Sequence, residues 1–453
     1  MKLKLKFMSK TTIEFINHAS VLLSSGKINL LSDPWYSGSV FHNGWRLLFE
    51  TKEEKFINIL KKTTHIYISH EHPDHFNTGF FLNKNVKNIL LKENIKILFQ
   101  HTKDKRVLNF LKKNEFNVIE LKENEKISLD KEVEVQIVKH DFYDSSLIFK
   151  TPEQKILNLN DCPLREEEEI RRFKKKHGSF DILLTQFSYA AWKGGVENKI
   201  YRENAAKEKI KNIENQASIL NCKSVITFAS FIYFSNESNF YMNDSINTPE
   251  IIKRKFVNKK FNVVFLSPNE VQEVNNLKQK QSSLDFWKEK YDSININPKD
   301  KFGKSINLQD LISEHKKYVE KVEKKNSKFL IYLLEKIKPM NLFQPIVIKL
   351  NDHKKIYNYS FFKGLVESSN IHPDVSMHSQ SLAFIFKNEF GFDTLTVNGC
   401  FESSQEGFSK LAKSFAIGSL NALGLSLNFS LLLKPQIVFM FLFKLRKVLS
   451  KLV

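Results

Sequence analysis

Apolar and polar positions alternate along the chain so as to give short β-rich runs separated by helical stretches. Thr11 to Leu23 and Lys27 to Leu31 are two such runs, and Ser24-Ser25-Gly26 between them is a hairpin signal. Apolar residues recur at helical spacing from Glu53 to Lys62 and again from Thr78 to Leu91. Between these, His65 to Ser69 is β-branched and aromatic and reads as a short buried strand. Further strands are expected over 95–100, 133–138, 146–150, 156–160, 180–185 and 223–228. Glu166 to Lys176 reads as a charged helix face. Leu277 to Lys328 has helical spacing, dense charge and little glycine, as a connector would. Beyond it, strands are expected over 345–351, 381–387 and 393–401. Three segments follow: 1–272, 273–328 and 329–453.

The two ends have their own patterns. Met1 to Phe7 alternates lysine with apolar residues and reads as a strand rather than a signal peptide. Residues 435–452 mix Ile437, Phe439 and Leu442 with Lys444, Arg446 and Lys451. Such a basic amphipathic stretch either lies on an anionic membrane or docks on the protein body. No run reaches the ~20 apolar residues of a spanning helix.

Composition refines this picture. The 453 residues, 42% hydrophobic and 26% charged, are those of a globular chain with a large core. A net charge of +20 invites a polyanionic partner. The lysines, however, alternate with glutamates, as in Lys52-Glu53-Glu54-Lys55, which is the pattern of a solvated surface. The expected partner is therefore a small anionic molecule rather than nucleic acid, with peripheral membrane contact through 435–452 and a homo-oligomer left open. Cys162, Cys222 and Cys400 form no clustered pair, which suggests a reducing compartment. A cytoplasmic location follows, including the inner face of the membrane.

The candidate chemistry lies in His70-Glu71-His72-Pro73-Asp74-His75. Here the strand 65–69 opens into a loop of three imidazoles and two carboxylates. His70 and His72, two apart, point the same way in extended geometry, and Asp74 and His75 can face a second ion. Imidazole and carboxylate suit one or two divalent ions, Zn, Fe or Mn. The plain alternative is a solvated loop that happens to be rich in histidine.

This motif resembles the signature of the metallo-β-lactamase superfamily. With Asp33-Pro34-Trp35 and Gly44-Trp45-Arg46, it resembles more narrowly the metallo-β-lactamase-like part of CMP-N-acetylneuraminate hydroxylase and its bacterial relatives. The resemblance implies an α/β fold: an αββα sandwich, then the helical connector and a small α+β C-terminal region. It implies metal ligation by His70, His72, Asp74, His75, His140 and Asp161, with Asp161 bridging and Asp74 acting as the catalytic base. His101 competes with His140 for its place. Trp35, Trp45, Arg46 and Trp192 would line the approach for substrate. His18, in a His-Ala-Ser tripeptide, sits under the metal site in relatives but alone reads as a core histidine. Asp33 either orients a ligand histidine or caps its turn.

One departure matters. Where the superfamily has its last ligand histidine, this chain has Thr227 or Phe228, leaving Asn236, Glu237 or Asn239 as substitutes. The leading expectation is a metal-dependent hydrolase using a metal-bound hydroxide on a phosphodiester, nucleotide-sugar or amide-like bond. The alternatives are a non-haem iron hydroxylase and a lipid- or ligand-binding protein with a vestigial site. The named hydroxylase also uses a Rieske cluster, and the paired Cys-x-His and Cys-x-x-His ligands of that cluster are missing here.

Overall fold

The computed structural model describes residues 10–140, 143–336, 343–369, 372–422 and 424–432. Both terminal readings, residues 1–7 and 435–452, lie outside them. Contacts divide the chain into two units. One runs to Lys193 and from Asn198 to Asp300; the other takes Gly194–Glu197 and the chain from Lys301 onward.

The first unit holds two seven-stranded sheets. Across the first the order is Val271–Glu273, Thr12–Asn17, Ser20–Ser25, Ile28–Ser32, His65–Ile68, Lys96–Gln100 and Asn117–Leu121. Its early strands pair antiparallel, and the last three join in parallel. Across the second the order is Asn262–Val264, Ser224–Phe228, Ile182–Gln186, Lys155–Asn160, Asp144–Lys150, Glu134–His140 and Lys126–Ser128. It is parallel as far as Lys155–Asn160 and antiparallel beyond.

Period-two alternation divides each strand between two layers. In His65–Ile68, Ile66 and Ile68 join the apolar cluster of Phe56, Leu60, Phe81 and Leu90 from the covering helices. Tyr67 points the other way, and its hydroxyl donates to the Ser145 carbonyl of the opposite sheet at 2.8 Å. Phe15 meets Phe228 and Phe231 edge-on across the same interface. Helices Glu167–His177 and Lys199–Ile219 cover the second sheet, and Thr185 donates to Gln216 at 2.8 Å. This is the αββα sandwich expected from the sequence.

The run Thr11 to Leu23 is two strands, not one, because the chain reverses at His18-Ala19 and pairs Asn17 with Ser20. Residues 78–91 likewise form two helices, Thr78–Leu82 and Lys84–Lys92, divided at Asn83, whose side chain accepts the Asn85 and Val86 N–H groups. In the stretch read as a connector, helix Gln281–Asp292 packs into the first unit. Its Trp287 is fully buried, stacks on Phe231 at 4.1 Å and donates to the Leu266 carbonyl at 2.8 Å.

The second unit is a five-stranded sheet with helices, in the order Gly364–Glu367, Lys355–Ser360, Ile346–Leu350, Val375–Met377 and Phe401–Ser403. Two expected strands are helices here. Residues 381–387 belong to helix Ser379–Lys387, buried nearly all round, so its apolar run carries no period to tell helix from strand. Residues 393–398 belong to helix Gly391–Asn398, which ends at Gly399 in the left-handed conformation.

Truncating Trp287→Ala should destabilise the first unit by about 3–5 kcal/mol in urea unfolding. A loss below about 1 kcal/mol would mean that this helix is a detachable connector.

Candidate metal centre

The site lies where parallel strands of both sheets end, the usual place for a ligand crevice in α/β folds. His65–Ile68 is buried along its length and delivers Ser69. That residue is held from both sides. Its N–H and hydroxyl each donate to the Asp33 carboxylate at 2.8 Å, and its carbonyl accepts from Ser145 Oγ at 2.6 Å and Gln100 Nε2 at 3.1 Å. Asp33, fully buried with φ of 34°, also accepts from His75 Nδ1 at 3.0 Å. Asp33 therefore orients a histidine, as a carboxylate behind a metal-bound imidazole does. With Nδ1 so engaged, Nε2 of His75 faces the site.

Two overlapping groups of donor atoms form there: His70, His75 and Asp161, and His18, Asp74 and His75. His75 Nε2 lies 3.4 Å from Asp74 Oδ2 and 3.6 Å from Asp161 Oδ1. His18 Nε2 lies 3.3 Å from Asp74 Oδ2. His70 Nε2 lies 4.0 Å from Asp161 Oδ2, 4.0 Å from Asp144 Oδ1 and 2.9 Å from His72 Nδ1. Donor atoms around a tetrahedral ion with bonds of about 2.0–2.2 Å are separated by roughly 3.4 Å. Among the described residues, His18 Nδ1, Asp74 Oδ1, His75 Nε2 and Asp161 Oδ1 are buried without a hydrogen-bond partner. Buried acceptors converging without donors are costly unless a cation sits among them. The residues present fit a divalent metal.

The electrostatics agree. Burial disfavours the charged form of every group here. The carboxylates of Asp74, Asp161 and Asp33 overcome this at His75 and hold its pKa well above 6.5. Burial and the neighbouring His75 push His70 well below 6.5. At Asp74, burial is outweighed by His75 and His18, which keep the carboxyl well below the usual range.

Among the expected ligands, His70, Asp74, His75 and Asp161 come together, and His72 touches His70. His140 does not join them. Alternation along Glu134–His140 turns it toward the covering helix, where its ring stacks on Phe173 at 5.7 Å and Nε2 lies 2.9 Å from Ser146 Oγ. This corrects the ligand set. His101 is exposed beside Glu120 and does not replace it. Asp144, which the sequence reading passed over, has Oδ1 4.0 Å from His70 Nε2.

The gap at Thr227 has a structural counterpart. Thr227 donates to the Val264 carbonyl, and the side-chain amides of Asn236 and Asn239 donate to the Asn43 and Gly44 carbonyls. Ala229, just past the strand, instead donates its N–H to the His18 carbonyl at 2.9 Å. His18 enters from the opposite sheet, and the His-Ala-Ser resemblance was its signal in the sequence. His18, which alone reads as a core histidine, is buried and stands in one of the two candidate ligand groups.

The expected substrate wall is uneven. Trp35 is buried edge-on to His18 at 5.6 Å. Trp45 packs on Phe41, whose ring meets His72 at 5.8 Å. Trp192 is buried in the loop after Ile182–Gln186. Arg46 is corrected, since its guanidinium closes on the Asp300 carboxylate through two contacts of 2.8 Å and is not held out toward a substrate.

No family model matches the chain. The cytidine monophosphate-N-acetylneuraminic acid hydroxylase of Danio rerio is 24% identical over 273 residues, 54% of this chain and 44% of that protein. The chain thus spans less than half the length of this curated relative. Among solved structures, a possible metal-dependent hydrolase of Veillonella parvula is 13% identical, with a TM-score of 0.43, covering 59% of this chain and 99% of that one. CmlA, a diiron beta-hydroxylase from Streptomyces venezuelae, is 14% identical, with a TM-score of 0.40, covering 58% and 54%.

Replacing Asp33→Asn should weaken metal binding about 10- to 100-fold, read by competition with a chelator. Unchanged affinity would remove Asp33 from this role. His140→Ala should leave metal content at the wild-type level.

Proposed function

We propose that the first unit is a metal-dependent hydrolase with an asymmetric two-metal site bridged by Asp161. The observation that supports this is the placing of the two Asp161 oxygens, Oδ2 toward His70 and Oδ1 toward His75. An imidazole Nε2 has one lone pair, so His75 serves a single ion. One ion would be held by His70, His72 and Asp161, with Asp144 beside them; the other by His18, Asp74, His75 and Asp161. Divalent ions there supply Lewis acidity and lower the pKa of bound water to about 7. Asp33 keeps the His75 proton on Nδ1, and Asp74 Oδ1, buried and without a donor, is placed to accept a proton. Trp35 and Phe41 keep bulk water off His18 and His72, whose rings they meet.

A second reading, a non-haem iron hydroxylase, draws on the name of the curated relative and on a donor set of nitrogen and oxygen alone. Zinc or manganese with turnover of a generic phosphodiester supports the hydrolase. Iron with substrate-dependent oxygen uptake supports the hydroxylase and sinks the first reading.

His75→Ala should remove metal while circular dichroism stays unchanged; full metal content would refute the assignment. Asp74→Asn should lower turnover by about 10²–10⁴-fold. Wild-type turnover in that variant would show that Asp74 takes no proton.

A further inference from the structure

At the end of the second sheet away from the metal centre lies a cavity of about 180 Å³, whose walls include Lys126, Glu134, Lys150, Lys155, Lys176 and His177. Strand Lys155–Asn160 begins at this cavity and ends at Asp161, so the two places are roughly 20 Å apart along it. Strand register builds the floor, because residues directly opposite in an antiparallel pair share a face. Glu134 lies opposite Lys150, and Lys150 opposite Lys155, so the three form one row across three strands. Lys126, opposite Gln136, stands in the next row of that face. The end of helix Glu167–His177 makes a wall. Lys155 Nζ donates to the His177 carbonyl and lies 4.6 Å from the centroid of the Phe180 ring.

The charges around this space do not balance. Lys126 Nζ lies 3.8 Å from Glu134 Oε1, and among the described residues Lys150, Lys155 and Lys176 form no ion pair with an acid. His177 adds no charge at pH 7, since burial and the nearby Lys176, Lys155 and Lys126 pull its pKa down to about 4. Four lysines against one glutamate leave an excess of three positive charges. Elsewhere in the chain lysine alternates with glutamate, as on a solvated surface. Here the register sets Lys150 and Lys155 directly opposite each other, and like charges so placed destabilise a strand pair. Burial and then Lys150 lower the pKa of Lys155 in consequence.

We propose that this cavity binds a compact polyanion of about three negative charges, of the class of pyrophosphate or a tricarboxylate, at a site separate from the metal centre. The space holds about six waters at about 30 Å³ each, and is smaller than the roughly 300–1,000 Å³ that drug-sized ligands occupy. A concave floor with its cations in two rows suits such an ion better than an extended polymer. The anion accepts from the ammonium groups of Lys150 and Lys155 together and turns a repulsive strand pair into a bridged one. None of this depends on the reaction proposed at Asp161.

The test is calorimetric titration with pyrophosphate, citrate and acetate of the wild-type protein and of His75→Ala, with metal content measured on every sample. Pyrophosphate or citrate should bind both proteins alike, and acetate at least about tenfold more weakly; the tighter of the two polyanions names the ligand as phosphate-type or carboxylate-type. Lys150→Gln and Lys176→Gln, at exposed positions, should each weaken binding about tenfold, the loss of one charge-assisted hydrogen bond. Without the anion, Lys150→Gln should leave the thermal midpoint unchanged or raise it, because a like-charge pair is gone; a lowered midpoint would mark Lys150 as a structural lysine and overturn the site. No binding by the wild type, or unchanged affinity in the Lys150→Gln, Lys176→Gln double variant, would also overturn it. So would binding that survives in the double variant but vanishes in His75→Ala, which places the anion on the metal. An oligonucleotide that displaces pyrophosphate with the same lysine dependence would replace the small ligand by a nucleic-acid surface.

Discussion

The carboxylate of Asp33 is the constraint on which the site depends. It is fully buried, sits on a left-handed backbone and accepts from the Ser69 N–H, the Ser69 hydroxyl and His75 Nδ1. An acidic side chain so far from water is tolerated only when its oxygens are satisfied by donors. Meeting that need fixes the end of the central strand, the start of the histidine loop and the tautomer of one imidazole together. The turn in which His75 and Phe76 donate their N–H groups to the His72 carbonyl then sets the pitch of the loop. What looks like a run of independent polar residues is tied at both ends, Ser69 and His75, to a single carboxylate.

Charge balance is the second constraint. Asp33, Asp74 and Asp161 bring three carboxylates among His18, His70 and His75, none of them open to much water. Protonating His75 offsets only one of these charges, whereas a divalent ion offsets two and also satisfies the partnerless lone pairs.

The sandwich and the histidine loop were legible because each leaves a local mark. Buried strands show as β-branched runs, and a tight loop of imidazole and carboxylate is rare by composition. His18 left little mark, because a hairpin reversal without glycine or proline gives no turn signal, and the residue takes a positive φ through its tertiary contacts. His140 misled for the opposite reason. Its order and neighbours were right, but strand alternation, which shifts with a single residue of register, turned it to the helical layer. Arg46 looked available because its partner, Asp300, lies far along the chain. In the second unit, helix Ser379–Lys387 is buried nearly all round, and its apolar run 382–386 is unbroken, which removes the periodicity that could have identified it.

The reversal at His18 has a mechanical consequence. His18 comes from a hairpin of one sheet, His75 from the loop after strand His65–Ile68 of that same sheet, and Asp161 from a strand end of the other. Metal bound by all three would be a cross-link between the two sheets, acting as a rivet through the open edge of the sandwich. Its binding free energy would then add to the cohesion of the whole unit, because an unfolded chain cannot present these donors together. Metal occupancy and the closure of the sandwich would thus be one equilibrium seen from two sides.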